Sequence, residues 1–183
     1  MFKFDKLVFG DLGWGDEFLF ATLMTVTVSI LSMGLGLCLA IITVWAKLIT
    51  NRITRFIATF YTTVVRGVPE LLVIYLIFFG GNSVLMSVAK LFGYDGYIEL
   101  NALTIGTIAI AFISATYSSE VIRASYLAVN KGQVEAAKAL GLSRIQIFLR
   151  VMGPQIIRYA LPGIGNVWQI TLKDTSLISV TGL

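Results

Sequence analysis

The chain has 183 residues, of which 57% are hydrophobic and only 13% are charged, and its mean hydropathy is +0.86. Because a soluble domain carries about 25% charged residues, this composition is that of a membrane protein. The net charge of +4 does not indicate a nucleic-acid partner, since the basic residues are spread between apolar blocks. The single Cys38 excludes an internal disulfide, and the absence of histidine removes the commonest acid-base and zinc chemistry. We therefore expect no catalytic residue and no metal site.

The first long apolar block follows a short charged N-terminal segment. Residues 18–46 contain no charged side chain, and about 20 such residues suffice to cross a bilayer. The block is too long for the core of a signal peptide, so we expect it to remain in the mature protein as a spanning helix. Its small residues Ser32, Gly36 and Ala40 recur at every fourth position, which predicts a face for close helix packing.

The second apolar region is interrupted by polar and helix-breaking residues, and two interpretations are open. Either residues 53–65 form an interfacial helix and the crossing starts at Pro69, or one crossing is broken at Gly67 and Val68. A new helix at Pro69 is favoured, because proline suits a first helical position and Glu70 complements the positive end of the helix. Both interpretations give one crossing.

Four spans are predicted in a single transmembrane domain that covers residues 1–183. The Gly-Gly-Asn sequence at residues 80–82 predicts the end of the apolar helix in the second span, ahead of an amphipathic connector at 83–100. A basic connector at about 123–154 separates the last two spans. The predicted spans share an apolar composition and cover residues 18–46, 69–89, 101–122 and 155–172.

Lysine and arginine collect in two connectors, the one after the first span and the one at 123–154, whereas the connector at 83–100 carries only Lys90. Basic residues are retained on the cytoplasmic side, so both connectors are predicted inside and the N-terminus outside. The tail at 173–183 is then also outside. Because the tail ends directly after an apolar run, we expect the chain to lack at least one further helix.

The basic connector contains signals for two short helices at a sharp angle. Asn130 can cap the first helix together with Gln133, and Gly141 can end it in the left-handed conformation. Ser143 and Gln146 form a capping box for the second helix. Two interpretations of the first helix are open: an ordinary amphipathic loop helix, or a docking helix. In the docking interpretation, small side chains on one exposed face let another protein's backbone approach closely. These side chains are Ala136, Ala137 and Ala139.

The whole pattern of this connector resembles a known motif. Glu135, Ala136 and Ala137, then three residues, then Gly141, with Pro154 further on, resemble the EAA loop of bacterial ABC importer permeases. That motif is specific when it lies between two spans on the inner side of the membrane. The charge distribution independently predicts this location.

Three further segments resemble the polar amino acid branch of that family, at residues 64–81, 118–133 and 171–183. The resemblance therefore covers nearly the whole chain. Within the branch, the chain looks most like the subunits for histidine, for lysine, arginine and ornithine, and for octopine or nopaline. Basic amino acids or opines are accordingly the expected solutes.

The resemblance implies an all-α, multi-pass permease of the bacterial inner membrane, with about five transmembrane helices in the family and four visible here. It implies alternating access driven by two ATPase subunits, a periplasmic solute-binding protein, and a second permease subunit, either identical or a paralogue. The connector helix would sit in a cleft of the ATPase. The permease itself would be no enzyme and hold no cofactor, since ATP is bound and hydrolysed by the partner.

Candidate functional residues fall into three groups, each with an ordinary structural explanation beside the functional one. For Glu135, complementation of its helix dipole competes with a direct ATPase contact; the coupling candidates are Glu135, Ala136, Ala137 and Gly141. In the second group the functional interpretation is gating, and the structural one is anchoring at the membrane boundary or an i,i+3 ion pair. Its members are Arg66, Gly67, Pro69, Glu120, Arg123 and Pro154. In the third group the functional interpretation is that the side chains line a translocation path, and the structural one is that they bond to the backbone of their own helix. Its members are Thr116, Tyr117, Ser118 and Ser119.

Two other kinds of protein remain as alternatives. A secondary transporter needs intramembrane ionisable groups, and apart from Glu120 near a boundary the interiors of the predicted spans contain none. A membrane scaffold is distinguished only by its partners, because it would not bind an ATPase through the loop at Glu135. An ATP-driven importer permease is the function that the sequence favours.

Overall fold

The computed structural model describes residues 13–91 and 101–178, together with Phe9 and Gly93, and this part of the chain is helical throughout. Short turns and one π turn join the helices, which confirms the all-α prediction. In chain order the elements are α1 (Gly15–Leu48), α2 (Arg52–Gly67), α3 (Glu70–Leu91), α4 (Ala102–Ala128), α5 (Lys131–Ala139), α6 (Arg144–Ile147), a π turn (Phe148–Met152) and α7 (Gly153–Ile178).

Two of the described helices, α1 and α4, are long and apolar enough to cross a membrane by themselves. Helix α2 and the first part of α3 meet that criterion only as a pair, and the chain bends by 112° between them. The bend lies at Val68 and Pro69, and α3 starts at Glu70 with the amides of Leu72 and Val73 donating to the Pro69 carbonyl at 2.9 and 3.2 Å. Because α2 and α3 diverge so strongly, they form a broken or re-entrant unit and not one straight helix.

Two helices extend beyond the ends that the sequence predicts. Helix α3 continues through Gly80 and Gly81 to Leu91, so the expected end at the glycine pair is wrong. Helix α7 continues past residue 172 to Ile178 and therefore includes Asp174, which the sequence places in an external tail. Carrying such charged residues, α7 is less apolar than α1 and α4 and is not among the described helices that qualify as spans by composition.

Helix α4 is the common packing partner of α1, α2, α3 and α7. On one side of it, Ala109 and Ile113 form an apolar cluster with Val65 of α2 and with two residues of α3, Val73 and Ile74. On another side, a smaller cluster joins Val28, Ile110 and Ile178, from α1, α4 and α7. Residues on the outer faces of the helices are largely exposed and apolar, as expected for helices surrounded by lipid.

The contact between α1 and α4 is close because small residues line it. Ser32 donates a hydrogen bond from its Oγ to the Thr107 carbonyl at 3.1 Å. One turn on, Gly36 lies directly against Ser114, and Ala40 is completely buried. The predicted packing face of small residues on α1 is therefore confirmed.

Substitution of Gly36 by alanine tests this contact. A Cβ there would lie 2.1 Å from Ser114 Oγ and 3.0 Å from the Ala111 carbonyl oxygen. Since Ser114 would have to give up its own bond to that carbonyl, we expect Gly36→Ala to destabilise the protein by about 1–3 kcal/mol. Gly34→Ala on the same helix is the matched control, because nothing lies within 4 Å of its added Cβ. Thermal unfolding in detergent measures both, and equal melting temperatures would contradict the packing argument.

Candidate coupling connector and polar cluster

The connector helix α5 begins with a side-chain cap. Asn130 Oδ1 accepts a hydrogen bond from the Gly132 amide at 2.8 Å, which confirms the predicted capping residue. Gln133 does not close a capping box with it. Instead, Gln133 Oε1 accepts a hydrogen bond from Gln155 Nε2 of α7 at 2.6 Å. The side chain predicted to complete the cap therefore ties the connector to α7.

The end of α5 and the start of α6 follow the sequence signals. Gly141 has a φ of 76°, which is the left-handed conformation predicted for it. The chain then turns back, so that the Leu142 amide donates to the Ala137 carbonyl at 3.2 Å. Ser143 and Gln146 form both bonds of the predicted capping box, at 2.9 and 3.3 Å.

The alanine face predicted on α5 is only partly correct. Ala137 is 5% exposed and lies on the inner side of the connector, where the chain returns past it at Leu142. The exposed side of α5, which we call the outer face, carries two adjacent pairs that lie four positions apart: Glu135 and Ala136, then Ala139 and Leu140. Leu140 is 80% exposed. Direct contact with another protein is thus available to this face and not to Ala137.

The short helix α6 passes into α7 through the π turn at Phe148–Met152, so no sharp break separates them. Gly153 donates its amide to the Phe148 carbonyl, five residues back. Its missing side chain is necessary, because a Cβ at Gly153 would lie 3.0 Å from that carbonyl oxygen. Pro154 has no amide proton to continue an α-helical pattern at this point. The α-helical hydrogen bonding is therefore interrupted just before Pro154 by a π turn.

A second candidate site lies where α2, α3, α4 and α7 meet, and we call its four residues the polar cluster: Arg66, Glu70, Tyr117 and Asp174. Tyr117 donates a hydrogen bond from its hydroxyl to Glu70 Oε1 at 3.0 Å. The guanidinium of Arg66 lies over the Tyr117 ring, 5.4 Å from its centroid. Asp174 interacts electrostatically with both Glu70 and Tyr117. The cluster thus brings two carboxylates and one guanidinium together around a tyrosine.

Asp174 is the residue in this cluster that sequence reasoning missed. It is 7% exposed, and among the described residues no hydrogen bond or ion pair engages its carboxylate. An ionisable group inside a membrane helix normally faces a partner or a water-filled path. The placement of Asp174 in an external tail is therefore wrong, because Asp174 belongs to α7.

A third feature is a charged junction formed by Lys47, Thr62, Glu120 and Arg123. Lys47, in the last turn of α1, is 8% exposed and donates to Glu120 Oε1 and, at 2.6 Å, to Thr62 Oγ1. Arg123 Nη1 lies 3.5 Å from the other carboxylate oxygen, Oε2. The predicted i,i+3 pair of Glu120 and Arg123 is therefore present. The closer and buried partner of Glu120 is Lys47, which the sequence pattern placed in a connector.

A cleft of about 350 Å³ is lined by Thr62, Thr63, Arg66, Gly67, Tyr117 and Glu120. It touches the polar cluster at Arg66 and Tyr117 and the charged junction at Thr62 and Glu120, and its lining does not include Glu70 or Asp174. Three of the four path candidates on α4 do not line it, because Thr116, Ser118 and Ser119 are fully buried. Thr116 and Ser119 donate to carbonyls of their own helix, at 2.7 and 2.8 Å. Only Tyr117 of that group faces the cleft.

Comparison with known proteins identifies the family. Residues 33–183 match the family described as binding-protein-dependent transport system inner membrane component. The chain is 51% identical to the nopaline transport system permease protein NocQ of Agrobacterium fabrum, over 97% of this chain and 75% of that protein. It is 41% identical to the histidine/lysine/arginine/ornithine transport system permease protein HisQ of Escherichia coli, over 93% of this chain and 75% of that one.

A solved structure supports the same assignment. The crystal structure of an amino acid ABC transporter with histidines superimposes with a TM-score of 0.72 and 31% sequence identity, covering 88% of this chain and 70% of that one. The alternatives of a secondary transporter and a membrane scaffold are thereby set aside. The chain belongs to the family of binding-protein-dependent transport system inner membrane components and is a membrane permease subunit of an ABC importer.

Proposed function

We propose that this permease carries a cationic amino acid or an opine across the bacterial inner membrane, driven by a separate ATPase. The preference for a cation rests on one observation: the carboxylate of Asp174 is largely buried beside Glu70 and has no hydrogen-bond or ion-pair partner among the described residues. A carboxylate removed from water needs a compensating positive charge. Arg66 supplies one guanidinium for the cluster, and a solute with its own cation supplies another.

The composition of the polar cluster fits the two ends of such a solute. A guanidinium or ammonium group is suited to Glu70 and Asp174, since planar guanidinium groups pair with carboxylates through two hydrogen bonds. The solute's carboxylate is suited to Arg66 at the other side of Tyr117. Relatives support this class of solute, because the permeases similar to this chain are named for nopaline, for octopine, and for histidine, lysine, arginine and ornithine.

Replacing Asp174 by asparagine tests the solute class. Truncating one partner of a buried charge pair costs about 2–5 kcal/mol, so we expect Asp174→Asn to raise the KM for arginine uptake by roughly 30-fold or more. Lys173→Gln is the matched control, because it removes an exposed charge from the adjacent position of α7 and should leave uptake unchanged. The measurement is uptake into vesicles that contain the whole transporter. An unchanged KM in Asp174→Asn, or better uptake of a sugar by the wild type, would refute the proposal.

Coupling to the ATPase is assigned to the outer face of α5. This face is small and apolar at Ala136 and Ala139, and Leu140 beside them is exposed without a covering element among the described residues. Glu135 lies on the same face, whereas Gly141 acts through the turn that orients the helix. Ala137 contributes only by allowing the connector to fold tightly. ATP is bound by the partner, and this subunit holds no cofactor.

Bulky side chains on the outer face test this assignment. We expect Ala136→Trp to abolish solute-stimulated ATP hydrolysis and ATPase co-purification, because the added ring keeps the two backbones apart. Gly141→Val should do the same, since a β-branched residue is strained at a φ of 76°. Glu135→Ala should be milder, as its helix-dipole contribution is about 0.3–1 kcal/mol. Leu161→Trp, at an exposed position of α7, is the control, and wild-type coupling in both bulky connector variants would disprove the assignment.

The assembly and orientation of the chain are proposed from its charges. The ends of α1 and α4 lie on one side of the bundle, because Lys47 of α1 reaches Glu120 of α4. The two basic connectors that follow these helices are therefore on the same side, which the positive-inside rule makes cytoplasmic. The N-terminus is then outside, where a periplasmic solute-binding protein delivers the solute. A second permease, identical or a paralogue, completes the path.

Cysteine labelling tests this orientation without changing any charge. The native Cys38 is exposed and is first replaced by alanine. Ser87→Cys on α3 and Ala139→Cys on α5 then place single thiols at exposed positions, in cells that lack the partner ATPase. An impermeant thiol reagent added to intact spheroplasts should modify the cysteine at position 87 and spare the one at 139 until the membrane is permeabilised. The opposite pattern would reverse the proposed orientation.

A further inference from the structure

The carboxylate of Glu120 faces two different environments. It lines the cleft together with Arg66 and Tyr117, and it also accepts a hydrogen bond from the buried ammonium of Lys47. The same ammonium is anchored by Thr62, whose hydroxyl accepts from Lys47 Nζ at 2.6 Å. Glu120 is therefore an acidic residue of the cleft that is already occupied by a cation of the chain itself.

We propose that Lys47 is a tethered competitor of the cationic solute, which determines where the solute is held. By occupying Glu120, Lys47 prevents a guanidinium or ammonium group of the solute from binding at the end of the cleft nearer the connector. The solute is then held at Glu70 and Asp174, and it leaves past Glu120 without being captured there. This inference rests on the proposed function, since it assumes a solute with a positive charge.

The charged junction and the polar cluster differ in the state of their carboxylates. At Glu120 both oxygens are engaged, Oε1 by Lys47 and Oε2 by Arg123 at 3.5 Å. At the polar cluster, Glu70 accepts from Tyr117 and Asp174 is engaged by no hydrogen bond or ion pair of the described residues. A cation in the cleft therefore meets a compensated carboxylate at Glu120, whereas the available acceptors, Glu70 and Asp174, lie beside Tyr117, which lines the cleft.

The spacing of the two sites makes this difference important for release. Tyr117 and Glu120 are three residues apart on α4, which corresponds to a rise of about 4.5 Å. An uncompensated carboxylate this close to the cluster would give the solute a second strong site on its way out. Transport requires binding that is strong enough for entry and weak enough for departure. A lysine that neutralises Glu120 meets the second requirement.

The experiment compares two solutes of the same length, arginine and citrulline. Citrulline carries a neutral urea group in place of the guanidinium of arginine. Lys47→Met keeps the unbranched stem and removes the charge. In vesicles with the whole transporter we expect this variant to lower both KM and kcat for arginine by about tenfold, because the solute is captured at Glu120. The kinetic constants for citrulline should stay at their wild-type values. Equal changes for both solutes would show a merely structural role and overturn the proposal.

Two further variants keep the test decisive. Glu120→Gln added to Lys47→Met should restore the kcat for arginine, because the capturing carboxylate is gone; failure to restore it contradicts the proposal. Arg123→Met removes the more distant and more exposed cation and should change the arginine constants less than Lys47→Met does. If Lys47→Met does not assemble, Thr62→Val releases the anchor of Lys47 and should shift the arginine constants in the same direction, and no shift overturns the inference.

The outcome separates this inference from the proposed function. A wild-type transporter that prefers arginine to citrulline, and loses the preference in Asp174→Asn, supports the cationic solute. If Lys47→Met then acts on arginine and citrulline alike, only the role of Lys47 is refuted. If the wild type shows no preference for arginine at all, the proposed function fails and the inference about Lys47 fails with it.

Discussion

The close approach of α1 to α4 is the constraint on which the rest of the structure depends. At Gly36 there is no space for even one more carbon atom beside Ser114 and Ala111. Small residues let helices approach in a membrane, where lipid provides no hydrophobic force to drive them together. The same contact brings the last turn of α1 to α4, so that the ammonium of Lys47 reaches Glu120. A buried lysine in this position is tolerable only because that carboxylate is within reach.

Helix α4 contributes residues to two separate charged sites. Its residue Tyr117 faces Glu70 of α3 and Arg66 of α2, whereas Glu120, almost one turn later, faces Lys47 of α1. The polar residues between them, Ser118 and Ser119, point into the protein interior. One helix therefore presents a surface with incomplete charge compensation among the described residues and, next to it, a surface whose charges are compensated.

Local signals predicted well wherever short-range chemistry decides the structure. The cap at Asn130, the left-handed Gly141 and the capping box at Ser143 depend on neighbours within a few residues, and all three are present. Burial of Ala137 could not be predicted in this way, because it depends on the chain turning back at Leu142. Lys47 and Asp174 were misplaced because a charge at the end of an apolar block indicates the end of a span. Only the packed structure shows that Lys47 has a partner in Glu120 and that Asp174 is buried with no hydrogen-bond or ion-pair partner among the described residues.

The connector and the polar cluster are joined by a single helix. Gln155, in the first turn of α7, holds α5 through its bond to Gln133, and Asp174 lies 19 residues further along the same helix, a rise of roughly 28 Å. The π turn at Phe148–Met152 joins α6 directly to the start of this helix, so both parts of the connector are attached to α7. The connector and Asp174 are therefore linked through α7, which contains Pro162 between Gln155 and Asp174. Because α7 packs on α4 where a Cβ at Gly163 would meet the side chain of Val121, the helix that carries Asp174 is held against the one that carries Tyr117.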